Sequence, residues 1–254
     1  MSRLVPRRIA VFSEAQPPKC ESRKTSSDAG TSAVIGSRSP DLQVPKDDGN
    51  KLPLAVKLGF TVFMLVLVPY YWHEYGPTNF IYFCDVALFL CLLAVWTERS
   101  LLASMAAVGI LLPQVLWQID FLGAMVGMPV TGMTGYMFDP SISLFARSLS
   151  FFHFWLPILL VYLVAKLGYD RRALVGWTLI AWVLMLVSYF LLPAPGDLLA
   201  YDSQPHNVNY VYGPSGDERQ TWMPASAWLA SLLIGLPLAV YLPTHLLLAK
   251  WKGA

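Results

Sequence analysis

Six polar side chains stand in stretches of this sequence that are otherwise apolar: Cys84, Asp85, Gln114, Gln118, Asp120 and His153. Burying such groups in lipid is costly, so each is a functional candidate by default. A thiol and an imidazole together make a nucleophile–base pair, in which the ring takes the proton and leaves a thiolate for attack on an acyl carbonyl. Cys84 and His153 are the residues of those types. Asp85, rotated about 100° from Cys84 on a helix, points to another face and is a candidate to orient a histidine from a different helix. Gln114 and Gln118 are four apart and share a face, which makes them candidate substrate-binding groups. Plainer readings stay open: buried cysteine is commonly a small hydrophobe, and a histidine in a span can serve as an interhelical hydrogen-bond partner.

A metal site is the alternative chemistry. His73, Glu74, Asp120 and His153, with Asp85, supply enough donors for zinc or iron. No His-x-x-x-His or Glu-x-x-His spacing occurs in the sequence. Nucleotide-binding glycine loops and haem-attachment motifs are absent too, so no cofactor is expected. His206 falls in a loop, and His245 near the end of the last apolar run is read as an interfacial residue. Trp182, Met185 and Tyr189, at helical spacing, are read as packing. Lys57, one turn into the first apolar run, is read as a snorkelling side chain.

The elements that carry these residues follow from composition. Of 254 residues 56% are hydrophobic and 13% charged, with a mean hydropathy of +0.50. Soluble domains carry about 25% charged residues, so a soluble fold is excluded. A membrane-crossing helix needs about 20 apolar residues. Six runs meet that need, at roughly 53–72, 79–97, 101–122, 143–167, 172–193 and 224–249. The fold class is therefore all-α, a polytopic membrane bundle of about six transmembrane helices. Residues 1–52 are rich in Ser, Pro, Lys and Asp with few aromatics, the composition of a disordered tail. They hold nine of the 18 Lys and Arg residues. Nucleic acid is not the expected partner of so basic a tail beside a span; membrane lipid is. No oligomeric state is assigned. The start lacks the apolar core of a signal peptide, so the first span is expected to act as an anchor.

Basic residues recur in the turns at 97–100 and 166–172 and at Lys250 and Lys252. By the positive-inside rule both termini are expected in the cytoplasm. The segments 123–142 and 194–223 then fall outside. The first, rich in Gly and Met, is a candidate to dip back into the bilayer, which non-helical backbone does only where protein or a wet cavity satisfies it. Cys84 and Asp85 lie about five or six residues into the second run and His153 about ten into the fourth, roughly 8 and 15 Å down at the standard helical rise. The candidate residues thus share the outer half of the bundle.

Three stretches carry a family resemblance. The run NFIYFCDVALFLCLLAVWTERSLL, the run SLSFFHFWLPILLVYLVAKLGYDRRAL and the loop segment NVNYVYG resemble, in that order, the Cys-bearing helix, the Phe-Phe-x-His helix and the Asn-Tyr signature of YwaF-type bacterial integral membrane proteins. That family is similar to eukaryotic transmembrane lipid acyltransferases and to the androgen-induced family of lipid hydrolases. The resemblance covers about 170 residues, from Trp72 to Leu242. It implies a membrane-embedded lipid hydrolase or acyltransferase in a bacterial inner (plasma) membrane. Cys84 would be the nucleophile and His153 the base, with Asn209 and Tyr210 shaping the mouth. Here Asp85 follows the cysteine, and the Asn-Tyr segment stands well before the last apolar run instead of adjoining it. A non-enzymatic carrier of lipid or a small hydrophobic solute is the alternative function.

Overall fold

The computed structural model describes residues 51–196, 205–216 and 218–253. The described part is helical, with no strand. Its helices are α1 (Leu54–Tyr75), α2 (Phe83–Thr97), α3 (Ser100–Met125), α4 (Leu144–Ser150), α5 (Phe152–Leu167), α6 (Ala173–Leu191), α7 (Ala225–Leu236) and α8 (Leu242–Lys252). Five stretches are long and apolar enough to cross a membrane: α1, α3, α4 with α5, α6, and α7 with α8. The chain is a polytopic helical membrane bundle. The expected disordered tail lies outside the described residues, except at its boundary: Lys51 and Leu52 are ordered, and Leu52 is buried.

The second run differs most from expectation. Its helix begins at Phe83 and has 15 residues, about 22 Å at the helical rise and short of the roughly 30 Å hydrocarbon layer. Gly76, at φ 74°, ends α1, and Pro77 starts a 3-10 turn over Pro77–Ile81 that takes up the missing length. Proline also marks the joint of the last span: a π-helical turn over Pro237–Tyr241 links α7 to α8, where the proline lacks the N–H that a regular turn would use.

Helix α3 is the axis. Ala103, Ala106, Ala107 and Gly109 are small and buried, and small residues let neighbouring helices approach closely in lipid. A methyl group on Gly109 would lie 1.9 Å from the Trp177 ring, so α6 seats its largest side chain in the space that glycine leaves. The outward faces are apolar: Val175, Leu179, Val183, Leu186 and Phe190 form a stripe along exposed α6, as expected for helices solvated by lipid.

The basic turns meet at one end. Glu98, in the left-handed region at φ 51°, accepts from the backbone N–H groups of Lys51 and Leu52. It also pairs with Lys57 at 2.8 Å. Lys57 is 4% exposed, which corrects the snorkelling reading: its ammonium turns inward to a carboxylate. His245, read as interfacial, pairs with the hydroxyl of Tyr169 in the basic turn at 2.7 Å.

The Lys57 hydrogen bond holds the Glu98 carboxyl below the usual carboxylate range. A depressed carboxylate contributes stability above its unfolded value of about 4.3 and loses it as pH falls through the folded value. Glu98→Gln should therefore lower the melting temperature at pH 7 and flatten its acid limb. The Glu98 side chain keeps 17% of its surface and glutamine still offers Lys57 an acceptor, so the loss is about 1 kcal/mol, the worth of a pair that solvent reaches. Thermal melts in detergent between pH 3 and 7 read both effects.

Candidate functional site

The opposite end gathers the polar residues. The Cys84 thiol, in the first turn of α2, donates to Asp85 Oδ2 at 3.7 Å, and Asn79 Nδ2 reaches the same oxygen at 3.5 Å. Asp85 is 3% exposed and its Oδ1 has no partner. Asp85 therefore serves its own turn of α2, and does not orient His153 as the helix rotation had suggested. Reactive cysteines sit beside Lys, Arg or His⁺; the neighbour here is a carboxylate.

His153 is held from both sides and above. Its Nδ1 lies 2.7 Å from the Ser150 carbonyl. A carbonyl only accepts, so Nδ1 carries the proton and Nε2 keeps a free lone pair. The ring stacks on Trp117 at 4.6 Å and on Phe152 at 4.0 Å. No hydrogen bond joins Cys84 to His153: each has the partner just named. Tyr136, from the 123–142 loop, reaches the surroundings of both. Its phenol is within electrostatic reach of Cys84 and Tyr210 and within reach of both the Ser150 hydroxyl and the Trp117 indole N–H. The indole nitrogen itself makes no well-formed hydrogen bond. Ser150 Oγ is also 3.0 Å from the Tyr71 hydroxyl. Burial pushes the Tyr136 phenol above its ordinary range, so it stays protonated and able to donate.

The two glutamines part company. Pro157 has no N–H for the His153 carbonyl four residues back; Gln118 Nε2 supplies one at 2.9 Å and reaches the Phe154 carbonyl at 3.4 Å. Gln118 thus completes α5. Gln114, one turn away on α3, is 3% exposed with Oε1 unpartnered.

The metal alternative does not assemble. His73 and Glu74 pair with each other at 3.0 Å on the surface. Both Asp120 oxygens are filled by the N–H groups of Thr131, Gly132 and Thr134 and by Thr134 Oγ1. Among the described residues no group of three His, Cys, Asp or Glu side chains could hold a metal. Asn209, expected at the mouth, is 5% exposed. Its Oδ1 accepts from Phe83 N at 3.0 Å and its Nδ2 donates to the Ile81 carbonyl and Ser188 Oγ. It closes the joint at which α2 begins. The Tyr210 carbonyl accepts from Trp228 Nε1 at 2.8 Å, tying the same loop to α7.

No protein-family model, curated protein or solved structure matches the chain. The site therefore rests on its own geometry. Tyr71, Trp117, Tyr136 and Ser150 belong to it although residue type alone did not single them out. Ser150 and Trp117 had a local signal, standing three residues before His153 and one before Gln118; Tyr136 had none.

Asn209 satisfies the first free N–H of α2 from a left-handed backbone position, φ 57°. Losing such a cap costs about 1–2 kcal/mol, and alanine adds strain in that conformation. Asn209→Ala should lower the melting temperature by several degrees. A variant that melts like the parent but binds lipid or ester more weakly would return Asn209 to the ligand-binding set.

Proposed function

We propose that this chain is a membrane-embedded lipid-ester hydrolase or acyltransferase with His153 as its base and Cys84 as its nucleophile. The observation that supports it most is the ring state of His153: proton on Nδ1, lone pair on Nε2, ring fixed between Trp117 and Phe152. A general base needs that arrangement before substrate arrives. In the reaction the Cys84 proton passes to Nε2 as sulfur bonds to the ester carbonyl carbon. The imidazolium then returns the proton to the leaving alkoxide as the C–O bond breaks. Water, or a lipid hydroxyl in the transferase case, attacks the thioester, giving its proton to Nε2 and thence to the departing sulfur. The resemblance to YwaF-type proteins agrees with these roles. By the charge of its turns the polar end faces outward across a bacterial inner membrane, so substrate enters from the outer leaflet.

A second reading is a lipid-binding protein without chemistry. It is favoured by the Cys84 contact with Asp85 and by an open groove of about 760 Å³ between α1 and α5, lined by Phe60, Phe63, Trp155 and Tyr162 among others. Phe63 in that groove touches Phe152, which stacks on His153.

Membranes containing the full chain, treated with fluorophosphonate and thiol-directed activity probes and with short- and long-chain esters, separate the readings. His153→Ala should lower turnover by about 10²-fold or more, the usual worth of a general base. Cys84→Ala should abolish labelling and turnover at unchanged protein level. Turnover that survives Cys84→Ala removes the nucleophile. Co-purified lipid that is retained intact by both variants favours the binding protein.

A further inference from the structure

Helix α3 ends in a turn that only glycine permits: a methyl group on Gly123 would lie 2.5 Å from the Met128 carbonyl oxygen. The chain then doubles back over its own helix. Three backbone N–H groups and one hydroxyl of residues 131–134 converge on Asp120, whose residue is fully buried, as is Thr134. Four donors on one carboxylate fasten the segment at its start. At its end Phe138 stacks on Phe121 at 5.2 Å, and the Met137 carbonyl accepts from Arg147 at 3.2 Å. Between these two anchors the 3-10 turn Gly135–Met137 carries Tyr136, half-buried, with its phenol within reach of the Ser150 hydroxyl and the Trp117 indole.

A loop that only covered the helix ends would place an apolar side chain there. A phenol brings a donor instead, beside the donor of Trp117, whose indole N–H has no well-formed partner. The ring of that same tryptophan stacks on His153. One donor thus belongs to the ring stacked on the imidazole, and the other, the Tyr136 phenol, lies within electrostatic reach of the Cys84 thiol. A carbonyl oxygen that gains negative charge as a nucleophile adds needs donors placed in advance at that position.

On the hydrolase or transferase reading above, we infer that Tyr136 contacts the acyl carbonyl oxygen of the substrate, with Trp117 as the second donor. Asp120 is the positioning residue that seats Tyr136. Asp120 touches no substrate and acts through the 131–137 segment.

The test uses the full chain in a Cys20→Ser background, so that Cys84 is the thiol read; Cys91 is buried. Hydrolysis of a p-nitrophenyl acyl ester gives kcat and KM, and maleimide alkylation of Cys84 reports how firmly the segment is seated. Removing one oxyanion donor lowers kcat by about 10²–10³-fold. Tyr136→Phe should approach that loss, with KM within about twofold and alkylation unchanged. Asp120→Asn should lower kcat to a similar degree and speed alkylation several-fold. Thr134→Val, a gentler variant that removes one of the four bonds, should move both in the same direction by less. The double variant Asp120→Asn/Tyr136→Phe should be no slower than Asp120→Asn alone, because both act through one hydroxyl. Parent-level kcat in Tyr136→Phe, unchanged alkylation in both Asp120→Asn and Thr134→Val, or multiplicative losses in the double variant would each overturn the inference. If the parent chain turns over no ester, the catalytic reading fails and the contact of Tyr136 with an acyl carbonyl falls with it. Alkylation then decides the Asp120 seat by itself.

Discussion

A helix in hydrocarbon has no water to answer its polar groups, and that constraint orders the rest of this bundle. Where proline removes a backbone donor, another helix must supply one, and Gln118 does so for the His153 carbonyl above Pro157. Where α2 starts late, the unsatisfied N–H of Phe83 is met by Asn209 from a loop more than 120 residues further along. Where α3 ends, Asp120 collects the donors of the returning chain. Each of these bonds replaces a solvent contact that lipid does not offer. The bonds of Gln118 and Asn209 also join segments far apart in the chain. At the polar end these bonds hold helix ends and loops to one another around the His153 imidazole.

The two ends use polarity differently. At the basic end the groups pair with one another: Lys57 with Glu98, Arg172 with Asp170, Tyr169 with His245. Little is left over there for a ligand. At the other end several buried atoms have no partner, among them Asp85 Oδ1, Gln114 Oε1 and Trp117 Nε1. Buried polar atoms are almost always bonded, and these are the groups on which the proposed ester chemistry draws.

Sequence patterns carried the helices well because length and hydropathy are local properties. Runs such as 172–193 needed nothing beyond themselves, and the helix observed there is Ala173–Leu191. The second run was misjudged at its start, since the apolar residues Phe80 and Ile81 continue its hydropathy while Gly76 and Pro77 divert its backbone into a 3-10 turn. Lys57 was misread because its partner, Glu98, stands 41 positions away across a turn. Among site residues, Cys84, Asp85, Gln114 and His153 were legible as polar groups in apolar surroundings. Tyr136 was not, because a tyrosine in a Gly- and Met-rich loop looks like any interfacial aromatic.

Composition and periodicity by themselves determined that this chain is a multi-pass helical membrane protein, and that its candidate chemistry lies toward the end opposite the basic turns. Both follow from the cost of placing charge and unpaired backbone in lipid, which each segment meets on its own. Tertiary structure alone decided which polar groups are spent and which are free. Gln118 had the same standing in the sequence as Gln114, yet its amide nitrogen is taken by the His153 and Phe154 carbonyls while Gln114 Oε1 has no partner. Hydrogen-bond satisfaction depends on which donors the fold brings within about 3 Å, and no spacing along the chain encodes that distance.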